Sequence, residues 1–105
     1  MRVWSMVLAA VLMAGCAVRQ DAPLSDEDAA RAARANTDIA THHLRNGALG
    51  PAREKIERAL DQDPALIDAH LVAAELRARL DEPAAAEAHF RQALSLEGEN
   101  GPALN

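Results

Sequence analysis

Aromatic side chains are nearly missing from this 105-residue chain, which holds one Trp, one Phe and no Tyr. Any core must therefore be built from Ala and Leu, and in a chain this short such a core is shallow. No window alternates β-branched with polar residues, so no strand is expected and the fold class is all-α. The only cysteine, Cys16, has no partner, which excludes a disulfide within the chain. The longest apolar run, residues 3–14, falls well short of the roughly 20 residues a bilayer-crossing helix needs. Positive charge is also scarce. Sixteen Asp and Glu outnumber 11 Lys and Arg, for a net charge of −5, and the arginines are interspersed with acids. That distribution argues against charge-driven capture of nucleic acid or anionic lipid. The four histidines, His42, His43, His70 and His89, form no His-x-x-x-His or Glu-x-x-His pair, so no metal site is expected. His43 and His70 are expected at inner helix positions, His42 and His89 in solvent. No nucleophile motif or glycine-rich phosphate loop surrounds Ser25 or Ser95, so neither an enzyme, a cofactor nor a small-molecule substrate is expected.

At the N-terminus, Arg2 followed by the short apolar run reads as a secretory signal peptide. Its end, Leu12-Met13-Ala14-Gly15-Cys16, resembles a bacterial lipobox. That resemblance implies cleavage between Gly15 and Cys16 and acylation of Cys16, with several acyl chains giving stable membrane attachment. It divides the chain into a signal peptide over 1–15 and a lipidated, proline-containing tether over 16–24. Ala17 stands where enterobacterial lipoproteins retained in the inner membrane carry Asp. The resemblance thus implies an outer-membrane anchor facing the periplasm of a Gram-negative bacterium.

The rest of the chain is organised by a repeat. A shift of 34 residues superposes Ala52 on Ala86, Ile56 on Phe90, Ala59 on Ala93 and Leu60 on Leu94, and upstream Ala35 on Ala69, Ala40 on Ala74 and Arg45 on Arg79. Small residues let two helices approach closely, and a bulky apolar residue one turn later fills the space between repeats. Period and spacing together match the tetratricopeptide pattern of stacked helical hairpins. Two repeats are expected within residues 25–100, over about 33–66 and 67–100, as a short right-handed solenoid. Residues 101–105 read as the opening of a truncated third.

Four helices follow from the punctuation. The first is expected from a Ser25 or Asp26 cap to about Asn46, burying Ala29, Ala32, Ala33, Asn36, Ile39, Ala40 and His43. Gly47 should close it, and the second should begin between Leu49 and Pro51 with Ala52, Ile56, Ala59 and Leu60 inward. Asp63 as cap and Pro64 as an early helical residue should start a third helix over about 65–80, presenting Ile67, His70, Leu71, Ala73, Ala74 and Leu80. A fourth, over about 83–96, should present Ala86, Phe90, Ala93 and Leu94 and break at Gly98. The packing positions of the repeat are thus Ala52, Ile56, Ala59, Pro64, Ala86, Phe90 and Ala93. The concave side is lined by the first helix of each pair: Arg34, Thr37, Thr41, Leu44 and Arg45, then Asp68, Leu71, Glu75 and Arg79. This is the candidate groove for a peptide or helix of another protein.

With the lipobox in front, the stretches from Gly47 to Pro64 and from Glu82 to Leu96 resemble the tetratricopeptide lipoproteins of type IV pilus biogenesis, the pilotin group. The resemblance implies an adaptor that binds the pilus secretin and aids its outer-membrane localisation and ring assembly. Two other readings fit the same anchor and repeats, a scaffold for peptidoglycan or envelope enzymes and a fragment without a function of its own.

Overall fold

The computed structural model describes residues 23–100; the signal peptide, Cys16, most of the tether and the residues read as a third repeat lie outside them. The described chain forms four helices, α1 (Asp26–Arg45), α2 (Leu49–Gln62), α3 (Ile67–Arg79) and α4 (Pro83–Asn100), and no strand among the described residues. The all-α class is thereby established. Short connections make α1 and α2 one hairpin and α3 and α4 a second. α3 also packs on both α1 and α2, whereas among the described helices α4 touches α3 alone.

Ser25 caps α1, its Oγ accepting from the Asp28 amide at 3.2 Å, and Asp26, Glu27 and Asp28 put negative charge on the positive end of the helix dipole. The first hairpin closes at Gly47, whose φ of +71° is a conformation in which a side chain is strained. Thirty-four residues later Asp81 takes the same left-handed conformation at φ +59°. The closing hydrogen bonds repeat with it. The Gly47 amide donates to Leu44 O at 3.0 Å and the Asp81 amide to Ala78 O at 3.1 Å. The Ala48 and Glu82 amides donate to His43 O and Arg77 O, each at 2.9 Å, and the Ala52 and Ala86 amides to Ala48 O and Glu82 O at 3.1 and 3.0 Å. The period in the sequence is therefore a period in the backbone.

The core is Ala33, Ala40, Leu44, Ala52, Ile56, Ala59, Ala69, Ala73 and Leu76, with Leu49, Leu60, Leu66, Val72 and Leu80 packed partly against it. Ala40 and Ala74 are both fully buried, and Ala52 and Ala86 and then Ala59 and Ala93 are buried at matching places on α2 and α4, which lets each hairpin close tightly.

Several expectations need correction. Ile39 is exposed, because the buried stripe of α1 runs through Ala33, Thr37, Ala40 and Leu44, and Ile39 lies about 100° round the helix from Ala40. Leu71, Phe90 and Leu94 are exposed as well, while Leu76 and Leu96 supply the burial instead. Asp63 does not cap α3, nor is Pro64 helical. The Asp63 side chain accepts from the Ala65 amide at 3.0 Å, a local turn that competes with a helix start and delays α3 to Ile67. Pro64 is exposed rather than a packing residue. Gly98 does not break α4, which continues to Asn100, since Gly98 does not adopt the left-handed conformation that closes a helix.

Candidate partner-binding groove

α1 and the start of α3 enclose an open groove of about 330 Å³, lined by Arg34, Thr37, Asp38, Thr41, Leu66, Asp68, Leu71 and Val72. A shallower continuation of about 390 Å³ passes Arg34, Asp63, Ala65, Leu66, Ile67 and Asp68 at the turn between α2 and α3. Helical spacing explains the α1 wall, since Arg34, Thr37, Asp38 and Thr41 are three and four residues apart and share a face. Across from them α3 contributes Asp68, Leu71 and Val72, with Leu66 at its N-terminal cap position.

The floor is quiet and the rim charged. Thr37 Oγ1 donates to Ala33 O at 2.8 Å and Thr41 Oγ1 to Thr37 O at 2.9 Å, so each hydroxyl proton is already engaged and the threonines offer methyls and acceptor lone pairs. Leu66, Leu71 and Val72 form an apolar wall, with Arg34, Asp38 and Asp68 placing both signs of charge beside it. An apolar wall with a few charges at the edge suits an amphipathic segment, whose apolar side chains enter while its polar ones meet the rim.

Five of the nine residues expected to form the concave face, Arg34, Thr37, Thr41, Asp68 and Leu71, lie in this groove. The other four do not. Leu44 is buried in the core, where Arg79 reaches across and donates from Nη1 to its carbonyl at 2.6 Å. Arg79 also pairs with Glu75 at 2.5 Å, and Arg45 is exposed at the last turn of α1, so these three side chains stand at the far end of the α1–α3 contact. Arg79 there adds a second donor to the Leu44 carbonyl, which already accepts from the Gly47 amide and lies at the negative end of the α1 dipole. Asp38, Leu66 and Val72 were missed; Asp38 shares the Arg34 face at i+4, and that spacing was the available signal.

Three of the four histidines stand where expected. His42 is exposed and His43 half-buried, and His70 is buried. His89, however, is not in solvent: its Nδ1 lies 3.2 Å from His70 Nδ1, and His70 Nε2 lies 2.7 Å from Pro64 O. Burial lowers the pKa of His89 below the ordinary imidazole value, and the nearby His70 and Arg77 lower it further. Among the described residues no group of three or more His, Cys, Asp or Glu gathers as a metal cluster.

Comparison with protein-family models, with curated proteins and with solved structures finds no match to this chain.

Proposed function

We propose that this chain is an outer-membrane lipoprotein adaptor, a non-enzymatic tetratricopeptide-type protein that binds the type IV pilus secretin and assists its localisation and assembly. Cys16 is the lipid anchor in this reading, and the α1–α3 groove is the contact with the secretin. The observation that carries it is the groove itself, formed by the first helices of two hairpins whose closing turns recur at 34 residues and walled by exposed Leu71 with Arg34, Asp38 and Asp68 at its rim. Stacked hairpins of this kind use that side to hold extended or helical segments.

Co-purification of the full chain with the secretin tests it. Leu71→Asp and Arg34→Glu change exposed groove residues, so both variants should remain folded while retention of the secretin falls. Cys16→Ser should block fatty-acid labelling and leave the groove unchanged. Equal secretin capture by wild type and both groove variants would remove the groove from the account. Equal fatty-acid label in Cys16→Ser would remove the anchor.

A further inference from the structure

The 34-residue period makes the inner contact between the hairpins a template for the two ends of the molecule. Within the chain, α3 lies on the first hairpin through Ala69, Ala73 and Leu76, which share one core with Ile56 of α2, and Leu60 packs against that core. One period earlier, Ala35, Ile39 and His42 hold the places of those three residues on one face of α1, and all are exposed. One period later, Phe90 and Leu94 hold the places of Ile56 and Leu60 on α4, and they too are exposed. Each end thus leaves open one half of a contact whose other half stands at the opposite end.

The polar groups repeat in the same sense. Arg79 Nη1 donates to Leu44 O at 2.6 Å and ties α3 to the last turn of α1. Arg45, one period before Arg79, is exposed. Ala78 O, one period after Leu44 O, accepts from the Asp81 amide as Leu44 O accepts from that of Gly47. Arg34 of α1 and Asp68 of α3 line the groove together and are also one period apart, so a second α1 laid on α3 brings its Arg34 to Asp68 with the signs still opposite.

We propose that the open face of α4 is covered by a second copy of this chain, stacked head to tail so that its α1 lays Ile39 against Phe90 and Leu94 while its Arg45 donates to Ala78 O of the first copy. The contact is heterologous. It leaves the first copy's α1 and the second copy's α4 as open as before, so further copies add in the same way. It also continues the α1–α3 groove onto the next copy, with Leu71 at the junction, whatever segment the groove holds.

The test is analytical ultracentrifugation, over a range of concentrations, of the full chain carrying Cys16→Ser, which removes the only thiol. Species that grow beyond the dimer as concentration rises are expected. Ile39→Glu and Leu94→Glu change exposed side chains at opposite ends, and each alone should weaken association about tenfold or more. Arg45→Met, which removes one hydrogen bond, should weaken it about fivefold. Mixed in equal amounts, Ile39→Glu and Leu94→Glu should form a one-to-one dimer and stop there, because each retains the half that the other has lost. A chain that is monomeric throughout, which would leave the face to another partner, would overturn the proposal. So would association that survives Ile39→Glu, the result of pairing α4 with α4, or a mixture of the two variants that stays monomeric.

Discussion

The two hairpins share a backbone and differ in what covers it. Ile56 of α2 and Phe90 of α4 hold the same place in the 34-residue unit, yet Ile56 is 2% exposed and Phe90 46%. Leu60 packs partly against the core, whereas its counterpart Leu94 is 67% exposed. On the first helices, Leu44 is buried and the matching Ala78 exposed. The difference follows from α3, which lies across α1 and α2 and closes the first hairpin's outer face, while among the described helices none does the same for α3 and α4. Position in the repeat thus sets the hairpin's own seam, the alanines at 52 and 86 and at 59 and 93. The neighbouring element decides whether the bulky residue one turn on is core or surface.

The largest expected effects widen that contrast. Ile56→Ala removes a buried side chain and should cost about 2–4 kcal/mol, whereas Phe90→Ala, half exposed, should cost about 1 kcal/mol. Chemical denaturation of the two variants makes the comparison, and similar losses would mean that the two faces are equally covered. The seam should instead respond alike in both hairpins. Ala52→Leu and Ala86→Leu each force a larger side chain into the close approach of two helices and should each lose about 1–3 kcal/mol. A tolerated Ala86→Leu would mean that the second hairpin is looser than its burial indicates.

The closing turns offer a smaller and signed contrast. A Cβ at Gly47 meets nothing within 4 Å, so Gly47→Ala should lower stability by about 1–2 kcal/mol through backbone strain alone. Asp81→Gly relieves that strain at the equivalent position and should raise the melting midpoint slightly. Opposite signs at positions 47 and 81 would support two copies of one turn. Smallest is the loss expected for Arg79→Met, about 1 kcal/mol, since the Arg79 bond to Leu44 O ties α3 to the end of α1 from a partly exposed side chain. Its measurement in low and high salt separates the hydrogen bond from the pairing with Glu75.

The features legible in the sequence are those that repeat or that depend on one residue's backbone. Ser25 as cap, Gly47 as closing turn, the inward face of α2 and the starts of α2 and α4 all follow from single residues with a steric or hydrogen-bonding reason. What escaped depends on neighbours. Asp63 can cap a helix or make a local turn, and the choice is made by where α3 must lie to reach α1 and α2. Gly98 is a poor helix residue by about 1 kcal/mol, which weakens α4 there without ending it. Leu44 belongs to the buried stripe of α1 with Ala33, Thr37 and Ala40, and only the arrival of α3 against α1 separates that core position from Thr37 and Thr41, which also reach the groove. The meeting of His70 and His89 lies between two helices at a separation no local spacing reports, and neither residue's neighbours in sequence announce it.

Amide hydrogen exchange resolved along the chain tests the shared-backbone claim most directly, because the closing turns and the two second helices can be read in one experiment. The account predicts matching protection at the turn amides of Ala48 and Glu82, with the amides of α4 around Phe90 and Leu94 exchanging faster than those of α2 around Ile56 and Leu60. Protection of α4 equal to that of α2, or a turn at Glu82 that exchanges freely while Ala48 is protected, would contradict it.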